Sequence, residues 1–434
     1  MPLKKSLGFF ALTMYGVGII LGAGIYALIG KATLLAGTSV WLSFVLGAIL
    51  ASFTGLSYAE LSSAYPKASA EANYLKHAFK KDWLAFLTGW LVVAIGFVTA
   101  ATVALGFAGY LASFVQLPIV LVAIALIILL SIVSFAGIDT SAKLNIVFTL
   151  IEALGIIIVI FLGIPFFGKV DYFQLSNGFG GVLNATAIIF FAYIGFEAIA
   201  KLGEETIKPE KILPRALVAS IIVSSILYIL LSLSAVSILP TAELGKSSAP
   251  LMDVALKAGG ANMGFLLGIM ALIATLNTVL ITLIVSSRML YGLGTKHGLP
   301  KIVAAVHKKT KTPHIAILIT ALGSIAMLAV GEIDAIAKTT TFMTFLVFLA
   351  VNLALIFLRR KKEFLPAFRM PLNIGNFSII AFLGAASSLL MLFTYSFVEA
   401  IVTIGFIVLG LALYWLGKKI AQKNKTVTVP PLNS

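Results

Sequence analysis

Residues 14–30 read MYGVGIILGAGIYALIG, a run apolar enough to cross a bilayer that nevertheless carries five glycines. Gly16, Gly18, Gly22, Gly24 and Gly30 each cost a helix interior about 0.5–1 kcal/mol against alanine, and four of them fall within nine residues. Such a stretch reads as a transmembrane helix built to be interrupted near mid-membrane. Backbone groups freed in hydrocarbon are tolerated only where they face protein or line a water-filled cavity. A half-helix starting at the midplane turns its positive dipole end and unpaired amides toward whatever fills that cavity, which suits a carboxylate. The same glycines also suit close packing between neighbouring helices, and this stretch alone leaves both readings open.

Working outward, the 434 residues are 60% hydrophobic and only 11% charged, whereas charged residues make up about a quarter of an ordinary soluble chain. Apolar runs of spanning length recur as far as Lys418, so residues 1–434 read as a single all-α polytopic membrane domain in a lipid bilayer. The formal charge of +15 does not indicate nucleic acid, because Lys and Arg sit in short blocks between apolar runs, the pattern of membrane topology. Cysteine is absent, which excludes disulfides. Lys4 and Lys5 precede a run too long for a signal-peptide core, so the first span is expected to be uncleaved.

Twelve transmembrane helices are expected, at about residues 9–30, 38–64, 83–112, 118–136, 143–167, 181–201, 214–239, 262–292, 314–331, 335–358, 376–395 and 397–417. An even number puts both termini on one side. With these spans, 26 of the 31 Lys and Arg residues fall on the terminal side and five (Lys31, Lys169, Lys246, Lys257 and Lys338) on the other. The asymmetry predicts a cell-membrane protein with both termini cytoplasmic, and a single misplaced span would scramble it.

Span 6, GVLNATAIIFFAYIGFEAIAK, is interrupted like span 1. Gly195 lies near its middle and Glu197 two residues on, and a carboxylate at bilayer depth costs about 2.5–3.5 kcal/mol even on insertion scales. If spans 1 and 6 are equivalent, spans 1–5 and 6–10 form an inverted repeat with spans 11 and 12 appended. Five spans per half make span 6 enter from the side opposite to span 1, as inversion requires. The expected divisions are 9–168, 181–358 and 376–417.

Several motifs then carry a family resemblance. Gly22-Ala23-Gly24-Ile25, Tyr58-Ala59-Glu60-Leu61, Phe191-Ala192-Tyr193-Ile194-Gly195-Phe196-Glu197 with Gly203-Glu204-Glu205, and Pro209 with Leu213-Pro214-Arg215-Ala216 resemble the amino acid-polyamine-organocation permeases. So does the segment after span 8, with Ser287-Arg288, Tyr291, Gly298-Leu299-Pro300, Val306-His307 and Lys309-Thr310-Lys311-Thr312-Pro313. The similarity runs from about residue 8 to 417 and is greatest to the branch related to cationic amino acid transporters. It implies a leucine-transporter-like fold, in agreement with the inverted repeat, and secondary active transport of an amino acid by alternating access, with amino acid exchange or transport of cationic amino acids or polyamines as the alternatives.

Two interrupted helices can recognise a zwitterion with backbone alone. The amides of Ala23 and Gly24, opening the half-helix after Gly22, would take the carboxylate. The resemblance assigns the ammonium to the carbonyls of Ile20, Phe191 and Ile194 beside Gly195, with the Phe191 ring as a lid, although Phe191 also reads as an aromatic core residue. Between Asp82 and the end of span 3, in span 8 before Arg288, and between Lys338 and Arg359 in span 10, no charged residue occurs. A neutral substrate, small or apolar, is therefore expected, with Glu197 within reach of a longer one.

Three acids lie in or at the edge of spans. Glu60, six residues before Pro66, is expected to be a solvated side chain near a span end. Glu197 matches a family glutamate linked to the substrate cavity; a cap for the broken helix is the alternative. Glu152 stands where some proton-coupled relatives carry a lysine, so their mechanism does not transfer unchanged. As an isolated carboxyl it is expected to couple proton movement; a sodium site shared with Thr275 and Thr278, or a structural hydrogen bond, are the other readings. His77, His297, His307 and His314 fall in or beside loops. No metal-ligand spacing, phosphate loop or nucleophile triad is present, so neither cofactor nor enzymatic activity is expected. A channel would need a continuous polar pore, and an intramembrane enzyme would need clustered catalytic groups.

Overall fold

The computed structural model describes residues 5–112, 114–247, 249–296, 299–329 and 333–426. Lys4, His297, Gly298 and the expected end of span 9 at residues 330–331 lie outside the described residues.

The architecture is all-α and polytopic. Span 1 is two helices, Phe9–Leu21 and Ala23–Ala36, and spans 2 to 5 are Val40–Ala64, Asp82–Ala112, Ile119–Ala136 and Ile138–Gly163. Span 6 is Gly178–Tyr193 continued by a 3-10 helix, Phe196–Glu205. Spans 7 to 12 are Pro209–Ile238, Ala261–Lys296, His314–Met327, Ile333–Leu358, Ile379–Leu392 and Phe397–Thr426. Ten stretches of the described residues are long and apolar enough to cross a membrane, while spans 9 and 11 are shorter apolar helices. Side chains such as Leu121, Ile132, Phe161 and Leu390 point outward, an apolar perimeter that only lipid satisfies.

Both interruptions occur where the glycines predicted them, at Gly22 and at Ile194–Gly195. Gly195 has φ +127, a conformation that a residue with a Cβ rarely adopts. The half-helices pair across the breaks. Ala23–Ala36 packs on Gly178–Tyr193, and Phe9–Leu21 packs on the 3-10 segment as well as on spans 5 and 7. Span 2 lies against span 7 and span 3 against span 8, enclosing the broken pair.

Two connections expected as loops are helical. Ala70–Phe79, between spans 2 and 3, has Glu71 in its first turn and Lys76 and His77 in its last, charges that complement its dipole, and it packs on spans 3 and 10. Thr241–Lys246 and Pro250–Gly259 lie between spans 7 and 8; proline opens the second, and Gly260 at φ +79 ends it. Spans 10 and 11 are joined through a short antiparallel hairpin, Asn373–Ile374 with Phe377–Ser378, turning at Gly375.

The structure corrects the expectation for Glu60, which is fully buried rather than solvated. Arg359 Nε donates to its Oε1 at 2.8 Å, Arg359 Nη2 closes on Oε2, and the Met370 N–H donates to Oε2 at 2.9 Å. Lys201 and Arg288 are also interior: Lys201 Nζ lies 2.8 Å from Glu71 Oε1, and Arg288 Nη2 lies 3.7 Å from Glu205 Oε1. These three cations, counted with the terminal-side charges, are therefore buried. Without them the count is 23 against five, and the asymmetry stands.

Candidate functional site

At the span 1 break, Gly22 (φ -57, ψ -151) precedes the helix Ala23–Ala36. A glycine cap has no side chain with which to accept the first amides, so those of Ala23 and Gly24 are left for another acceptor. Gly22 and Gly24 are also contact positions. A Cβ on Gly24 would lie 2.6 Å from Ala192 Cα, and one on Gly22 would strike Thr278 Oγ1. Gly16 and Gly18 face Ser220 and Thr149 in the same way, and Gly30 faces the Leu244 carbonyl. Both readings of the glycine run thus hold at once: close packing permits the break to sit inside the bundle.

At the span 6 break, the Gly195 N–H donates to Glu197 Oε2 at 2.9 Å, so Glu197 caps the distorted segment. The Ile194 N–H donates to the Phe191 carbonyl at 3.3 Å. The Tyr228 hydroxyl donates to the Ile20 carbonyl and lies 3.1 Å from the Ala192 carbonyl. Each of the expected acceptors Ile20 and Phe191 thus already receives one protein donor, and a second lone pair remains on each carbonyl.

The two breaks meet on one cavity of about 60 Å³. Ile20, Gly24, Phe191, Ile194, Gly195, Glu197 and Thr278 line it; among the described residues Gly22, Glu152 and Thr275 do not, and the side chain of Ala23 lies outside the described residues. Its far wall is apolar, from Val92, Ile95, Val103 and Val285, and carries hydroxyls at Thr99, Thr282 and Ser286. Thr99 Oγ1 is buried without a hydrogen-bond partner. Lys201 also lines the cavity, a charge expected at the terminal-side end of span 6; its ammonium is held by Glu71, which also accepts from the Tyr58 hydroxyl at 3.1 Å. A second cavity, about 390 Å³, lies toward the side away from the termini, between Lys31, Asn184, Lys338, Tyr395 and Glu399. Phe191 lines both cavities.

Glu152 occupies a separate polar cluster joining spans 1, 5 and 8. Asn277 Nδ2 donates to its Oε1 at 2.9 Å, and Oε2 is buried without a hydrogen-bond partner. Asn145 Nδ2 donates to Asn277 Oδ1 at 3.1 Å, the Thr149 hydroxyl donates to the Met14 carbonyl at 3.2 Å, and Asn145 Oδ1 has no partner. Gly18 lets span 1 approach these groups. Thr275 and Thr278 instead bond carbonyls of their own helix, at Ala271 and Ala274. The cluster was visible in part: Asn145, Thr149 and Glu152 recur at helical spacing, one polar stripe on an apolar span. Asn277, isolated in span 8, gave no periodic signal.

The model of the family described as amino acid permease matches residues 7–416. Among curated proteins, the chain is similar to the branched-chain amino acid permease BcaP of Bacillus subtilis, 29% identical over 95% of this chain and 93% of that one. It is similar to the methylthioribose transporter of the same organism, 27% identical over 85% and 84%, and to human cationic amino acid transporter 4, 29% identical over 84% of this chain and 61% of that one. With matching breaks in spans 1 and 6 around a central cavity and a family match over nearly its whole length, this chain belongs to the amino acid permease family, membrane transporters and not enzymes.

Proposed function

We propose that this protein moves neutral amino acids across the cell membrane by proton symport and alternating access, with both termini cytoplasmic and spans 1–5 and 6–10 as inverted repeats. The observation that carries the reading is the convergence of the two helix breaks on one cavity. There the amides of Ala23 and Gly24 offer a carboxylate the positive end of a half-helix, and the carbonyls around Phe191 and Ile194 offer acceptors to an ammonium. The three relatives' names point to different substrates, so the substrate class is argued from the cavity. Its apolar wall of valines and isoleucine favours an uncharged side chain, and a cationic side chain reaching Glu197 would meet the Lys201 ammonium. Phe191 acts as the lid between substrate and vestibule.

For coupling, Glu152 is fully buried in a cluster whose other side chains are Asn145, Thr149 and Asn277, none of them cationic. It must take up a proton or a small cation to become neutral there. Sodium is the second reading, favoured by the bare oxygens Glu152 Oε2 and Asn145 Oδ1 in one cluster. Proteoliposomes loaded against a panel of radiolabelled amino acids, with and without an inward pH gradient and with sodium present or absent, test both. The expected result is saturable uptake with counterflow, raised by the pH gradient and indifferent to sodium. Lysine or arginine as the best competitor would overturn the neutral assignment.

A further inference from the structure

On the terminal side, below spans 2, 10 and 11, lies a cavity of about 370 Å³ that shares no lining residue with the central one. Four basic side chains line it, Arg359, Lys361, Lys362 and Arg369, against one acid, Glu60. That acid is spent, because both its oxygens are taken by Arg359 and the Met370 amide. Lys361 is held by neutral acceptors, the His77 and Ala78 carbonyls at 2.6 and 2.7 Å, which end the helix Ala70–Phe79. Arg369 Nη2 is held by the Gly375 carbonyl at 3.0 Å and Asn376 Oδ1 at 3.3 Å. Carbonyls orient these cations without neutralising them, and among the described residues no acidic side chain pairs with Lys361, Lys362 or Arg369. Three positive charges therefore converge on one cavity uncompensated.

The rim of that cavity is apolar. Leu365, which lines it, is 84% exposed, and the neighbouring hairpin presents Leu372 at 64% and Ile374 at 69%. Exposed leucines on a polar connection are costly in water and are satisfied at the boundary between headgroups and acyl chains. A basic cavity behind an apolar rim at that depth fits an amphiphile whose head is anionic. We propose that this cavity binds the phosphate headgroup of an anionic phospholipid, with Lys362, Arg369 and the Asn376 amide on the phosphate and Leu365 along the acyl chains. Because Arg359 ties span 10 to Glu60 of span 2, the bound lipid braces the junction at which those spans meet the hairpin.

The test uses the purified full-length protein in mixed detergent micelles, titrated with phosphatidylglycerol or phosphatidylcholine while the melting temperature is followed. Phosphatidylglycerol is expected to stabilise and phosphatidylcholine not. Lys362→Gln with Arg369→Gln should weaken the apparent affinity about twenty-five-fold, from about a factor of five per basic residue at an anionic surface. Lys362→Gln alone, which breaks no hydrogen bond given above, should account for about a fivefold part of it. Lys308→Gln with Lys309→Gln, exposed charges on another connection of the same side, should leave the affinity unchanged. Equal stabilisation by both lipids, equal weakening by both double variants, or reproduction of the shift by millimolar inorganic phosphate would each overturn the proposal.

Discussion

Asn277 of span 8 donates to Oε1 of Glu152 of span 5 at 2.9 Å, while Oε2 of the same carboxyl is buried with no hydrogen bond. One oxygen is fixed and the other is bare. The fixed oxygen ties together two helices that also flank the first half of span 1, through Thr149 on the Met14 carbonyl and through the close approach at Gly18. A change of charge on the bare oxygen would therefore act on the position of span 1 without first breaking the Asn277 bond.

On the proton reading, Glu152→Gln imitates the protonated carboxyl and keeps an acceptor for Asn277. Substrate binding and exchange are expected to survive, while accumulation driven by an inward pH gradient falls to the level without a gradient. Parallel counterflow and gradient-driven uptake in proteoliposomes measure the two. Normal gradient-driven accumulation by this variant would return Glu152 to a structural role, and wild-type uptake that needs sodium and ignores pH would sink proton coupling.

The glycines make a second prediction. Gly24→Ala places a methyl 2.6 Å from Ala192 Cα, in backbone that cannot swing aside, so an overpacking cost of about 1–3 kcal/mol should appear as a lower melting temperature together with weaker binding. Gly24→Leu and Gly22→Leu should abolish binding in a protein that still inserts. Scintillation proximity binding on detergent-purified variants provides the check: wild-type affinity in Gly24→Ala would mean that the interface relaxes and that the break does not position substrate.

The breaks were legible because glycine inside an apolar span has so few purposes, and the twelve spans because basic residues alternate so strongly between sides. The buried ion pairs were not legible. Glu60 and Arg359 lie 299 positions apart, and nothing local in either segment reveals that span 10 delivers a guanidinium to the end of span 2. Lys201 read as a charge at the terminal-side end of span 6 because the 3-10 winding after Gly195, which carries it inward, follows from packing on spans 1 and 7 rather than from its own sequence. Phe191 was read from a motif, but its place between two cavities depended on how the half-helices cross.

Substrate recognition by backbone predicts a pattern of competition. Amino acid esters and decarboxylated amines lack the carboxylate that the amides of Ala23 and Gly24 would hold, and should fail to displace a bound neutral amino acid. Lysine and arginine should compete weakly, since the wall formed by Val92, Ile95, Val103 and Val285 offers a cationic side chain no counter-charge and Glu197 shares the cavity with Lys201. Competition binding over a panel at fixed pH gives the ranking. An ester that competes as well as its parent acid would remove the half-helix from the recognition scheme.

The last prediction concerns the pair formed by Glu71 and Lys201, 2.8 Å apart and both almost completely buried. Removing one partner of such a pair leaves an uncompensated charge and costs about 3–5 kcal/mol, whereas replacing both with apolar groups is often nearly neutral. The two single variants should nevertheless differ. After Glu71→Gln, Lys201 still has Glu197 within electrostatic reach, so part of the compensation persists. After Lys201→Met, Glu71 and Glu197 are both left without their cation, and this variant should be the less stable of the two. The double variant Glu71→Leu with Lys201→Met should recover most of the loss relative to Lys201→Met, leaving Glu197 as the remaining charge. Unfolding of the purified variants in mixed micelles measures the order; a Lys201→Met protein as stable as wild type would show that the ammonium contributes nothing to holding the cavity base.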